Sequence, residues 1–228
     1  HGRSAVRVIR FPLGDRRIES LAATVEFNAA ENFAPVALRM LDRVSQFAVV
    51  AARRALIDSI LPLLTDTERE RTGVFLGTGM GASNTLDEGY QNLYEEKPAR
   101  VNPLTILKGM HNAPAAWIAK EHHITGPNLT YSTACSSATV AIGEAWQKLA
   151  HGQIDHAIAG GAEAPLSVGS LMAWSAMRAV ASIDPIDPAA SCKPFSKNRC
   201  GMVLGEGSAI LVLETLEHAL GRGAPIYG

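Results

Sequence analysis

Cysteine is scarce in this sequence of 228 residues: there are three, at positions 135, 192 and 200. So few, and an odd number, exclude a disulfide framework and point to a reducing compartment, by default the cytoplasm. Cys192 and Cys200 stand eight apart with no His or Cys cluster beside them, so a zinc-binding spacing is missing too. An excess of charge of one sign is likewise absent. The 21 Lys and Arg against 22 Asp and Glu leave a net charge of -1, which makes no general case for a nucleic-acid partner. No apolar run approaches a membrane span, and the N-terminus carries no signal-peptide pattern, so no membrane partner is expected. Repeats and low-complexity tracts are missing as well. What is present is a hydrophobic fraction of 47% and a charged fraction of 19%, ordinary for a soluble enzyme and enough to bury one large core or two small ones.

Short apolar runs alternate with helical patterns along the chain. Residues Pro35 to Leu61 carry apolar side chains at helical spacing, with Arg39, Arg43, Arg53 and Arg54 among them, and predict one long helix. Gly73 to Gly79 is a short apolar run closed by glycines and reads as a buried strand. Ser83 to Glu96 reads as a helix or a loop with helical turns. Pro103 to His123 is broken by Gly109 and Pro114 and then runs helically. Leu129 to Ser132, Ile154 to Gly161 and Ser208 to Leu213 read as strands, with helices over Ser136 to His151 and Leu216 to Arg222. This alternation predicts an α/β layer with a mostly parallel sheet covered by helices. The sequence opens at His1 rather than Met, and Gly221 to Gly228 resembles a turn leading into another strand, so both ends are expected to be cut.

The stretch Thr133-Ala134-Cys135-Ser136-Ser137 lies between a strand and an amphipathic helix. A lone Cys is ordinarily a small buried hydrophobe. At a strand-to-helix turn the free N–H groups and the positive dipole end of the following helix favour a thiolate, the reactive species. Cys135 is therefore the candidate nucleophile.

Four motifs stand in order and in register: Gly126-Pro127-Asn128, Ser132 to Ser137, Ala159-Gly160-Gly161-Ala162-Glu163, and Gly201 to Gly207 (GMVLGEG). With them the chain resembles the N-terminal half of a β-ketoacyl-[acyl-carrier-protein] synthase, nearest the elongating type II enzymes of fatty acid synthesis, over residues 1–228. The resemblance implies a thiolase-like fold of two similar halves, assembled as a homodimer or a related heterodimer. It implies that Cys135 accepts a fatty acyl chain from acyl carrier protein and that the enolate of malonyl-carrier protein then attacks the thioester. No cofactor is implied, the substrates being carried on the phosphopantetheine of the carrier protein. The backbone N–H of Cys135 is placed to stabilise the thioester oxygen.

The same resemblance puts Met110 at the apolar end of the acyl pocket and Trp174 at an aromatic gate beside the nucleophile. As structural residues, Met110 is a flexible core filler and Trp174 a buried aromatic. Arg178 matches a residue that meets the carrier protein, and Lys193, Lys197 and Arg39 are candidates for a basic docking patch; a solvated face is the competing reading of these charges. Glu163 and Glu206 follow glycines in the shared motifs and are expected to be structural hydrogen-bonding groups rather than a general acid–base pair.

Two departures stand out. The family reads Arg-Pro-Phe-Asp and then Arg-Asp-Gly where this sequence reads Lys193 to Gly201 (KPFSKNRCG), so Ser196 and Cys200 replace two carboxylates. If Arg199 is buried as in the relatives, it has lost its partners. The family's two decarboxylation histidines and the lysine between them belong to the C-terminal half, and none of the seven His here (1, 111, 122, 123, 151, 156 and 218) stands in such a setting. The family's opening strand and helix have no counterpart before Gly2. The chain is thus expected to be one half of a synthase, unable to condense alone. Alternatives are a polyketide or aryl-polyene ketosynthase with the same Cys, a non-catalytic chain-length partner subunit, against which Cys135 counts, and a Cys–His hydrolase.

Overall fold

A computed structural model describes residues 2–13, 15–61, 65–95 and 101–228. His1 and Glu96 lie outside the described residues. In chain order the elements are β1 (Val6–Leu13), β2 (Arg16–Ala23), α1 (Pro35–Leu38), α2 (Arg43–Asp58), α3 (Asp66–Glu70), β3 (Thr72–Gly77), α4 (Ser83–Glu95) and α5 (Thr105–Gly109). They continue with α6 (Ala113–Glu121), β4 (Asn128–Tyr131), α7 (Ser137–Ala150), β5 (His156–Glu163), α8 (Val168–Ala176), β6 (Leu204–Gly205), β7 (Gly207–Glu214) and α9 (Leu216–Gly221).

The central sheet has the order β4-β3-β5-β7. Strands β4, β3 and β5 are parallel, and β7 runs antiparallel to β5. Strands β3 and β5 are covered on both faces and are correspondingly apolar, whereas the edge strand β4 is exposed at Asn128 and Leu129. Alternation still divides the side chains. Val74, Leu76, Ile158 and Ala162 join the core beneath α2 and α6, while Phe75, Ala157 and Ala159 join the core beneath α7. Two parallel crossovers, from β3 to β4 and from β4 to β5, bring α6 and α7 onto opposite faces and leave the C-terminal ends of all three strands together. A second sheet, β1-β2-β6, pairs an antiparallel hairpin with a short parallel strand.

Several elements differ from the sequence reading. The expected helix over 35–61 is two helices, because the buried carboxylate of Asp42 accepts the Val44 N–H at 2.9 Å and caps α2. The same carboxylate accepts from the N–H (3.0 Å) and hydroxyl (2.6 Å) of Thr85, so the break also anchors the start of α4. Pro114 lies in the first turn of α6 and opens that helix instead of breaking it. The β1–β2 hairpin was not anticipated, although Gly14-Asp15 between two alternating runs is a recognised hairpin signal.

Candidate active site

Strand β4 ends at Tyr131, and the chain turns through a single 3-10 turn, Ala134–Ser136, before α7 begins at Ser137. Ala134 has φ 52°, a left-handed conformation that is uncommon for a residue with a side chain. The turn is held from inside by two hydroxyls. Ser137 Oγ donates to the Ala134 carbonyl at 2.6 Å and accepts the Thr133 N–H at 2.9 Å. Ser136 Oγ donates to the Thr133 carbonyl at 2.7 Å. Cys135 is thereby presented to solvent as a free thiol, and its own N–H has no protein acceptor among the described residues.

The thiol opens onto a cavity of about 830 Å³ at the C-terminal ends of the parallel strands. Its wall includes Gly77 to Met80, Gly160 to Glu163, Trp174 and the start of β7. Open parallel sheets place ligands at this end. Close approach of backbone makes the cavity possible. A Cβ on Gly77 would sit 2.2 Å from the Ser137 carbonyl carbon, and one on Gly161 would sit 2.6 Å from the Ala138 side chain. The start of α7 therefore lies directly on the glycines that end β3 and β5.

The two glutamates of the glycine motifs do different things. Glu206 has a side chain 2% exposed and takes two hydrogen bonds from Arg43, at 2.6 and 2.7 Å, and one from the Val25 N–H at 3.0 Å. That network raises the Arg43 pKa further, chiefly through the hydrogen bond to Glu206. Glu163 lines the Cys135 cavity and accepts from the N–H groups of Gly79 (2.6 Å) and Met80 (3.1 Å) and from the Thr78 hydroxyl (3.3 Å). Both act as hydrogen-bond acceptors within the fold.

Of the other candidates, Trp174 lies in the cavity wall with Cys135. Met110 does not: it caps α5, is 47% exposed, and stands beside the exposed Ile106 and Leu107. Arg178 is exposed just beyond α8, at φ 57°. Lys193 spends its charge on Asp184 at 3.5 Å, while Lys197 is exposed. Arg39 is exposed at the end of α1. Arg199 is exposed rather than buried and donates to the Ser196 carbonyl at 3.0 Å, so the loss of two family carboxylates strands no buried charge.

One cluster was missed by the sequence reading. His156, Glu214 and His218 bring three potential metal-ligand atoms within 4.8 Å of one another. Glu214 faces His156 across the β5–β7 pair, and His218 lies four residues beyond Glu214. Arg222 already bonds both oxygens of this carboxylate, so the group is a closed ion-pair cluster that a dication would have to break. It sits at the opposite end of the sheet from Cys135.

Comparison with known proteins bears on the whole chain. Residues 15–219 match the family "Beta-ketoacyl synthase, N-terminal domain". The 3-oxoacyl-[acyl-carrier-protein] synthase 2 of Staphylococcus aureus (strain N315) is 37% identical over 201 residues, 88% of this chain and 48% of that protein. The protein of the same name from Rhizobium meliloti (strain 1021) is 36% identical over 219 residues, 96% of this chain and 50% of that protein. The chain thus spans about half the length of the curated relatives it matches. Among solved structures, a β-ketoacyl synthase from Burkholderia phymatum STM815 superposes with a TM-score of 0.83 at 31% identity, covering 99% of this chain and 55% of that one.

Proposed function

The chain belongs to the β-ketoacyl synthase family, and we propose that it is the acyl-accepting half of a 3-oxoacyl-[acyl-carrier-protein] synthase with Cys135 as the nucleophile. The observation that carries this reading is the exposed Cys135 thiol at the mouth of the cavity, with an N–H that has no protein acceptor among the described residues. In the first half-reaction the Cys135 sulfur attacks the thioester carbonyl carbon of the donor. The new C–S bond forms as the carbonyl oxygen gains charge beside the Cys135 N–H; the oxygen then returns its electron pair and the donor thiolate leaves. A donor fixed in advance costs no reorganisation at that moment. The exposed turn gives a bulky thioester room to reach the sulfur.

In the second half-reaction a malonyl thioester loses carbon dioxide, and the resulting enolate displaces Cys135 from the acyl group. No histidine is among the residues lining the cavity, so decarboxylation falls to groups outside that lining. The reading extends to a cytoplasmic homodimer or related heterodimer that receives its substrates on the phosphopantetheine of acyl carrier protein. The exposed apolar side chains of Ile106, Leu107 and Met110 support a covered surface beside α5. The exposed Arg178 and Lys197 support a site for an acidic carrier.

The test is peptide mapping of the full-length protein after incubation with octanoyl-coenzyme A. Acylation confined to Cys135 and absent from Cys192, Cys200 and the Cys135→Ala variant is expected. Acyl groups spread evenly over the three cysteines, or none at all, would overturn the reading.

A further inference from the structure

Glu163 lies in the wall of the Cys135 cavity, and no ion pair involves it among the described residues. Its neighbour in motif, Glu206, is met by a guanidinium. Among the described residues Glu163 is met only by uncharged donors, and all three belong to one short segment, Thr78 to Met80, that follows β3. The segment closes on itself as well: Thr78 Oγ1 accepts the Gly81 N–H at 3.1 Å. A carboxylate is suited to this place because it only accepts, whereas an amide would turn an N–H₂ group against one of the donors.

The folded segment leads directly to the nucleophile. The Thr78 N–H donates to the Tyr131 carbonyl at 3.0 Å, at the last residue of β4. A Cβ placed on Gly79 would lie 3.2 Å from Glu163 Oε2 and 3.5 Å from the Ala134 carbonyl oxygen. So Glu163 at the end of β5, the segment after β3 and the turn after β4 are stacked across the ends of three adjacent parallel strands. Ala134, the residue this stack meets, holds a left-handed φ immediately before Cys135, which lines the cavity. Strained backbone of this kind persists only where its surroundings over-determine it.

We propose that Glu163 is a positioning residue for acyl transfer: by gathering the N–H groups of Gly79 and Met80 it holds the Thr78–Gly81 segment against Ala134, and so fixes the Cys135 N–H where the thioester oxygen develops charge. The proposal rests on the reading of Cys135 as the acyl acceptor. It assigns Glu163 no proton transfer and no contact with substrate.

Two reactions of the same thiol separate positioning from general damage. Acylation by octanoyl-coenzyme A passes through a tetrahedral state that needs the N–H donor. Alkylation by iodoacetamide displaces iodide at a saturated carbon and needs none. In the full-length protein, Glu163→Ala is expected to lower the acylation rate at saturating donor by about 10- to 100-fold, the range for sub-ångström to ångström misplacement of a reacting group. The donor concentration giving half-maximal rate and the alkylation rate should both stay within about threefold of the parent. Glu163→Gln, which keeps the shape and one acceptor oxygen, should fall between the two and keeps the test available if the alanine variant fails to fold. Equal loss in acylation and alkylation, or no loss in either variant, would overturn the proposal while leaving Cys135 as acceptor intact. Failure of the parent protein to acylate Cys135 would overturn both.

Discussion

The two ends of the central sheet are built from different materials. At the C-terminal ends of β3, β4 and β5 the contacts are backbone to backbone, glycine against helix start, with one carboxylate holding N–H groups and a thiol left in the open. At the opposite end the contacts are ionic and closed. Arg71 binds Asp155 through two hydrogen bonds of 2.6 and 2.7 Å, Arg222 grips Glu214, and the buried Thr72 hydroxyl donates to the Glu68 carbonyl at 2.7 Å. Close packing of backbone on glycine shapes one end and leaves the Cys135 thiol free. Ion pairs shape the other end and occupy the groups they join, although Arg69 Nε and His156 Nε2 stay buried without a hydrogen-bond partner among the described residues.

The sharpest way to break this contrast is Cys135→Ala. It should reduce acylation to background while moving the thermal midpoint by less than about 2 °C, as expected for an exposed side chain; a large loss of stability would mean the turn depends on the thiol. Next comes Gly77→Ala. A methyl placed 2.2 Å from the Ser137 backbone must push α7 away from β3, at a cost of about 3 kcal/mol, readable by urea denaturation and accompanied by lower acylation. At the closed end, Arg222→Met removes the hydrogen bonds to a nearly buried carboxylate and should cost about 2 kcal/mol. Acylation of the folded fraction should be unchanged, because the lesion lies at the far end of the strands.

A smaller effect is expected from pH, and it belongs to the closed end. Burial lowers the pKa of His156, aided by His218 and opposed by Glu214, Asp155 and Glu68. The unfolded chain, with a histidine pKa of about 6.5, therefore binds more protons than the fold as pH falls below that value. Stability is fully present above about pH 6.5 and is lost as pH falls towards the folded value. His122, lowered chiefly by burial, adds in the same direction. A second acid step lies below about pH 4.5. For Glu214, burial works to raise the pKa, but hydrogen bonds from Arg222 and His218 outweigh it and hold it low. For Asp155 the hydrogen bond from Arg71 does the same. Thermal midpoints measured from about pH 8 to about pH 2 should show both declines, and His156→Asn should shrink the upper one, leaving the share of His122. The least effect is expected from Cys192→Ser with Cys200→Ser, two exposed thiols outside the cavity lining. Acylation should stay within twofold while the number of alkylated sites drops to one.

Much of the reactive end could be read in the chain itself. The strand β3, the strand before Cys135, the helix α7 and the apolar β5 are each local patterns, and the hydrophobic period of a segment survives wherever the segment is placed. The same is true of the setting of Cys135, a strand-to-helix turn within a few residues. Met110 shows the opposite case: that it stands half exposed beside α5, outside the lining of the Cys135 cavity, follows from where α5 packs relative to the strands, which is a tertiary matter.

What the sequence by itself determined is the α/β alternation, the candidate nucleophile and the resemblance that names a family, since all three reside in short contiguous motifs. Only the tertiary structure decided that Glu163 holds the segment beside Ala134, that Arg43 rather than a substrate meets Glu206, and that His156, Glu214 and His218 gather under Arg222. Glu163 and Gly79, Arg43 and Glu206, and His156 and Glu214 are separated by about 60 to 160 residues, and no periodicity links them; only Glu214, His218 and Arg222 stand close together in the chain. They meet because strand order and register bring the ends of the sheet together, which a linear pattern does not encode.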